Sequence, residues 1–496
     1  MGPGRDASGA WHPFEDFRWA AEFGEFLATI DQSEPVDLVL NGDTFELLQS
    51  PNVPCAPAVP EAGCSESAAL ARLEAVLAAH QDEIRALSAF ARSRSNRIVI
   101  LPGDHDAAIL LPAVRQRVVA ALAAPAGRVD MPVAGSWLSA DGRVRVEHGH
   151  QTAFNPHRFD GWPVPVARRG GAPTLLRPWG EQAIQELFDR YEARYPIVDN
   201  VAALGAGAKY ALAADGVSDL ESRAPALLRY FLSMTSWQQF RMELDDGEVR
   251  PPTWDVAQVR AQSAAFLVSS LPDDDPFKPI ATRALADGRL AKEVGELTDE
   301  QLVALCDYRA AIRRARRRFE PALSQLPPRG PVVSECPRTP DTRGGVYEYF
   351  WRSRDDRALR HLAAVAGPAG TRPPLSVFVH GHTHLPDRAQ DAANMISGGL
   401  LKIPMEGFSP VRGALAPIVI NGGAWQRAIT PVQLEALARD RGQSPRALLS
   451  TLQPEQLVPC YSFVRISPYT DTPAPQVRYW RPSTDGRWLV GAGCGR

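Results

Sequence analysis

Six of the ten histidines (His105, His148, His150, His380, His382 and His384) stand within a few residues of a short apolar run, in the company of Asp43, Asp104 and Asp106. Imidazole nitrogens and carboxylate oxygens without cysteine sulfur make a donor set that suits Mn, Fe, Zn or Mg. The same groups also serve as general acids and bases near neutral pH. Gly-Asp and Gly-His after a strand are ordinary turn formers, so each piece alone says little. The weight rests on four of them coming in series.

To converge, such groups need strands that end in one place. The run 36–40 (VDLVL) enters Asn41-Gly42-Asp43, and 98–101 (IVIL) enters Gly103-Asp104-His105-Asp106. Val144 and Val146 enter Glu147-His148-Gly149-His150, 375–379 enters His380-Gly381-His382-Thr383-His384, and 417–420 ends at Asn421-Gly422-Gly423. Between the first two runs, Ser65 or Ser67 can cap a helix that carries Leu70, Leu73, Leu77, Ile84, Leu87 and Phe90 on one face. This is a βαβ pattern. Trp19, Phe23, Phe26, Leu27 and Ile30 predict a further helix ahead of the first strand. After a helical stretch at 431–452, the segments 461–466 and 476–480 alternate like antiparallel strands. The alternation predicts an α/β fold with two sheets facing each other. In open α/β sheets, ligands bind beyond the carboxyl ends of the strands.

Composition narrows the function classes. With 45% hydrophobic and 22% charged residues, the chain is globular rather than disordered or fibrous. Lys+Arg 54 against Asp+Glu 57 leaves a net charge of -3, without the cationic excess that nucleic-acid binding needs. The six cysteines (Cys55, Cys64, Cys306, Cys336, Cys460 and Cys494) are scattered without CxxC spacing, which reads as a reducing, cytoplasmic setting. No apolar stretch reaches the roughly 18 to 20 residues of a membrane span, and the opening MGPGRDASGAWHP is too polar for a secretory signal. Neither GxSxG nor a Walker loop occurs, which removes serine-nucleophile and P-loop chemistry. The HxHxDH pattern of metallo-β-lactamase folds is absent as well. An HxH pair opens amidohydrolase barrels, but His382 and His384 come last among these motifs.

Taken as a series, Gly42-Asp43, Gly103-Asp104-His105-Asp106, His148-Gly149-His150 and Gly381-His382-Thr383-His384 resemble the calcineurin-like metallophosphoesterases. GDTFE with Glu46, EHGH and GHTHLP look like the bacterial branch that contains the UDP-2,3-diacylglucosamine pyrophosphatases. The resemblance implies a two-sheet α/β/β/α sandwich. It further implies two divalent metal ions (Mn, Fe, Zn or Mg) and hydrolysis of phosphoric esters or diphosphates by in-line attack of a metal-bound hydroxide. In those terms Asp43 bridges the ions, Asp104, His148 and His382 complete one of them, and His384 binds the other. Asp104 stands where the family usually has Asn. His105 is the candidate to protonate the leaving oxygen, with Asp106 orienting its imidazole. The family's opening strand and Asp-x-His-x-Gly motif are missing. Met1-Gly2 reads as the last two letters of such a motif, so the expectation is that Met1 is an internal methionine of a longer chain carrying two more ligands. The alternative is a chain that has lost half of one metal site, and with one cation the 496-residue chain is expected to have weakened activity.

The core of that family does not need residues 155–374. The expected organisation is a first core part at 1–154, a mainly helical cap insert at 155–374 with helices near 180–195, 220–244 and 298–323, and a second core part at 375–496. Such a cap would set substrate choice, and Asn155, His157 and Arg158 are placed to line its pocket. His150 either touches substrate phosphate or shapes its turn. Leu227 to Leu232 with Met234, Trp237 and Phe240 either pack the cap or line an acyl or aromatic pocket. The basic run from Arg313 to Arg318 is either a solvated helix face or a site for anionic headgroups. The expected partner is a small phosphorylated substrate, with a lipid precursor as one candidate. Some proteins of this fold have defective metal sites and act as binding scaffolds, which is the alternative to an enzyme.

Overall fold

Ile98, Val99, Ile100 and Leu101 are apolar at successive positions because their strand is covered on both faces. This is seen in the computed structural model, which describes residues 1–31, 34–49, 62–151, 192–201, 418–429, 431–467 and 474–494, most of 159–178, and short pieces within 282–287, 375–384 and 390–391. In chain order its elements are α1 (Ala20–Ile30), β1 (Asp37–Asn41), β2 (Ala62–Ser65), α2 (Glu66–Ala79), α3 (Gln81–Arg92), β3 (Arg97–Leu101), α4 (Pro112–Leu122), β4 (Val129–Asp130), β5 (Ser136–Leu138) and β6 (Val144–Glu147). They continue with β7 (Val166–Arg169), β8 (Ala172–Leu176), β9 (Val377–His380), β10 (Gln390–Asp391), β11 (Ile418–Asn421), α5 (Pro431–Asp440), α6 (Pro445–Thr451), β12 (Tyr461–Ser467), β13 (Ala474–Pro482) and β14 (Trp488–Gly491).

The protein is mixed α/β with several small sheets. Strands β1, β3 and β4 form a parallel sheet in that order. The largest sheet runs β10-β11-β9-β6-β5, with β6, β9 and β11 parallel and the edge strands β5 and β10 antiparallel. Strands β12, β13 and β14 make an antiparallel meander, and β2, β8 and β7 a small antiparallel sheet. Side chains alternate along a strand, so β3 feeds two cores. Ile98 and Ile100 pack with the residues of α1 to α4, whereas Val99 and Leu101 pack with Val144, Val146, Val377, Val379 and Ile420 of the largest sheet. Burying each such side chain contributes about 1.5 to 3 kcal/mol. The parallel strands of two different sheets are thereby held together, with β1, β3, β6 and β9 all ending in the motif loops.

Three local features differ from the sequence-based expectation. The single helix anticipated through 70–90 is two helices, α2 capped by Ser65 and α3, with His80 between them. His80 has left the helical path (φ -113, ψ 39) because its ring lies between two carboxylates: Nε2 meets Glu15 at 2.9 Å and Nδ1 meets Glu83 at 3.0 Å. Residues 161–176, placed in the helical insert, include the β7-β8 hairpin, which pairs with β2. The reading of the cysteines as reduced thiols is corrected: Cys460 and Cys494 form a disulfide with Cα atoms 5.5 Å apart, and Cys64 is disulfide-bonded as well. Spacing along the chain does not reveal that the start of β12 and the segment after β14 lie side by side. Among the described residues no helix is long and apolar enough to cross a membrane. Of the insert helices anticipated, that near 180–195 is described only at 192–195, of which 192–194 are helical; 220–244 and 298–323, with the apolar stretch at 227–240 and the arginine run, lie outside the described residues.

The His80 cluster yields a pH prediction. Glu15, fully buried, accepts the amides of Gly2 (3.1 Å), Gly4 (2.7 Å) and Phe17 (2.8 Å) besides the His80 ring. Burial pushes the His80 imidazole down, but Glu15 and Glu83 outweigh it and hold it above its ordinary 6.5. Burial pushes Glu15 up, but His80, the chain's amino terminus and the Gly4 amide hold it below 4.5. The His80 contribution is therefore complete below its unfolded value and is lost as pH rises through the raised folded one, while that of Glu15 is lost on acidification. Unfolding in urea should show His80→Gln destabilised by about 3 kcal/mol. The difference from wild type should be largest between pH 4.5 and 6.5 and shrink above that. A difference that does not vary with pH would show that the pair is not ionised.

Candidate metal centre

The four loops that carry the motifs leave the C-terminal ends of β1, β3, β6 and β9. Their backbone is forced into unusual shapes. Of the five described non-glycine residues with positive φ, three are Asp43 (φ 51), His382 (φ 69) and His384 (φ 56). Residues held in that region cost free energy and persist where surrounding structure over-determines them, which is common at functional sites. Two glycines have steric reasons. Gly42 (φ 78) lies against the His148 ring and Gly103 against the Asp43 carboxylate, so closely that a Cβ on either would overlap those atoms.

The result is a compact donor set. Asp43, Asp104, His148 and His382 each present one ligand atom within 4.8 Å of the others. His148 Nε2 lies 2.9 Å from Asp43 Oδ2 and 3.0 Å from Asp104 Oδ1, and His382 Nδ1 lies 3.0 Å from that same Asp104 oxygen. The other side of His148 is fixed, since Nδ1–H donates to the Asn41 carbonyl at 2.7 Å. That bond aims Nε2 at the carboxylates, as the outer hydrogen bond of a metal-binding histidine does. Two carboxylates and two imidazoles suit a divalent cation with mixed oxygen and nitrogen ligation.

Beside the cluster stands a second pair. His105 Nδ1 meets Glu46 Oε2 at 2.6 Å, and its Nε2 lies 3.7 Å from Asp104 Oδ2. The expectation that Asp106 orients this imidazole is corrected. Asp106 is fully buried and accepts backbone amides instead, from Gly103 (2.6 Å), Thr44 (2.8 Å), Asp43 (3.2 Å) and Phe45 (3.3 Å). It ties the loop after β1 to the loop after β3, and so sets the distance between Asp43 and Asp104. Glu46, three residues beyond Asp43 in GDTFE, carries the orienting role, and its place in that motif was the available signal.

His384 stands outside the four-residue cluster, with Nδ1 3.2 Å from Gln426 Nε2. Gln426 also donates to the Asp199 carbonyl at 3.1 Å, and Gln49 Nε2 reaches both Glu192 oxygens at 2.9 Å, so the stretch 192–201 is anchored beside the site. Neither glutamine stood out in the sequence, because a lone amide carries no motif. His150 is buried against Trp162, with ring centroids 4.4 Å apart. Asn155, His157 and Arg158 lie outside the described residues.

The electrostatics follow from this crowding. Burial pushes His148 down, yet Asp43 and Asp104 hold it well above its ordinary value. Burial and the Asp104 charge push Asp43 up, but His148 and His105 hold it below the usual carboxylate range. Burial also pushes His105 down, and Glu46, Asp43 and Asp104 outweigh it. The two carboxylates therefore favour the protonated form of His148, whose Nε2 lies between them. Ion binding must expel that proton. Calorimetry at pH 7 in buffers of different ionisation enthalpy should show about one proton released per Mn²⁺ ion, with affinity rising up to about tenfold per pH unit. Binding without proton release would contradict this charge assignment.

In comparisons with family models, curated proteins and solved structures, the chain matches none of them.

Proposed function

We propose that the protein is a metal-dependent hydrolase of phosphoric esters or diphosphates, built as a calcineurin-like two-sheet sandwich with a large insert. The observation that carries this reading is the convergence of Asp43, Asp104, His148 and His382, with the Glu46–His105 pair at their side. The chemistry supplied by bound divalent cations is charge neutralisation at phosphorus and a lowered pKa for water. The chain's own groups do the rest. Asp43, Asp104, His148 and His382 would hold the cation, while the Asn41 carbonyl keeps the ring of His148 in register. His105, held cationic by Glu46, donates its Nε2 proton to the departing oxygen. Asp106 keeps the two aspartate loops together. His384, joined to Gln426, would contribute to a second ion site, and the substrate would be a small phosphorylated molecule.

The test is hydrolysis of bis-p-nitrophenyl phosphate and of a phosphomonoester by the chain with Mn²⁺, Zn²⁺ or Mg²⁺, run beside a metal titration. Turnover that is lost with EDTA and restored by one of these ions is the expected result. Absence of both metal binding and hydrolysis would leave the scaffold reading in its place.

A further inference from the structure

Among the described residues His150 has no hydrogen-bond partner at either ring nitrogen, and it is 1% exposed. A buried polar group left in that state is costly, so the position calls for an explanation. On one side the ring meets aromatic walls edge to face, Trp162 at 4.4 Å and Phe159 at 5.9 Å between centroids. These give it packing but no oxygen acceptor. Its other ring neighbours belong to the donor cluster, His148 at 5.4 Å and His382 at 6.4 Å. His150 is not itself one of the four residues whose ligand atoms converge. A residue needed only to fill this niche would be better as Phe or Leu, which would leave nothing unsatisfied.

We propose that His150 is a substrate-contacting residue that donates a ring N–H to an oxygen of a phosphoryl group seated at the Asp43–Asp104–His148–His382 cluster. This rests on the phosphoesterase reading above. The aromatic wall behind the ring fixes its orientation and keeps water from competing for the nitrogens, so the hydrogen bond forms only when an oxyanion arrives. The recognised chemistry is the tetrahedral phosphate oxyanion, whether part of an ester or free as product.

The test uses the full 496-residue chain loaded with Mn²⁺, with inorganic phosphate as the probe for binding and bis-p-nitrophenyl phosphate for turnover. For His150→Phe the expected result is a thermal midpoint at or above that of wild type and Mn²⁺ affinity within about threefold, with phosphate affinity weakened about tenfold or more. His150→Gln, which keeps an N–H donor, should recover part of the phosphate affinity, and it serves as the test should the phenylalanine variant not fold. A folded His150→Phe or His150→Gln whose stability falls while phosphate affinity stays at the wild-type value would overturn the proposal and make His150 a packing residue. If wild-type chain binds Mn²⁺ and hydrolyses the diester while the variants bind phosphate equally well, this inference alone fails. If wild-type chain binds neither Mn²⁺ nor phosphate, the phosphoesterase reading fails and takes this inference with it.

Discussion

Asp43→Asn should weaken Mn²⁺ binding by on the order of a hundredfold or more and bring diester hydrolysis to background, because ligating carboxylates contribute more than the outer groups whose loss already costs 10- to 100-fold. The substitution is well suited to isolating charge. Asp43 sits at φ 51, and Asn adopts that left-handed conformation as readily as Asp does, so the loop need not move. The same reasoning selects His382→Asn over His382→Ala, since alanine at φ 69 would add backbone strain to the loss of a ligand. Isothermal titration with Mn²⁺ reads both variants, and circular dichroism checks that they remain folded. A variant that keeps wild-type affinity would remove that residue from the ligand set.

The second large effect concerns the proposed proton donor, His105. His105→Ala should lower kcat by about 10² to 10⁴, the range for losing a general acid, with Mn²⁺ affinity changed only a few-fold. Glu46→Gln is the more informative variant. Glu46 is the leading influence holding the imidazole up against burial, so removing its charge lowers the His105 pKa. The acid form is then lost at lower pH, and the alkaline limb of the kcat–pH profile should move toward acid, with a smaller fall in kcat than for His105→Ala. An unshifted limb would mean that the ionisation seen in the profile belongs to another group.

How much of this could be read from the sequence depends on distance along the chain. Strand ends were legible because an apolar run such as 98–101 stops abruptly at Gly103-Asp104, and the steric reason for that glycine is the Asp43 carboxylate lying against it. Asp43, Asp104, His148 and His382 were legible as a set because each follows such a run. Partner choice within the site was not. Asp106 and Glu46 are both carboxylates near His105, and only the fold shows that one has its oxygens filled by four amides while the other faces the imidazole. The break at His80 was hidden because the apolar spacing of Leu77 and Ile84 continues across it; its cause, Glu15, is 65 residues earlier. The β7-β8 hairpin was missed because the strand it joins, β2, comes roughly a hundred residues before it.

The crosslink between Cys460 and Cys494 closes a loop of 34 residues around the terminal meander. By chain-entropy reasoning a closure of that size removes about 4 kcal/mol of freedom from the unfolded ensemble. The meander it ties down is not remote from the chemistry. Ser462, two residues past Cys460, donates its hydroxyl to the carbonyls of Gly422 (2.9 Å) and Ala424 (3.3 Å), in the same loop that presents Gln426 to His384. The crosslinked meander is therefore tied, through Ser462, to the loop that holds Gln426 against His384. A thiol reductant added to protect the preparation would act against the very loop under assay, apart from any metal it sequesters.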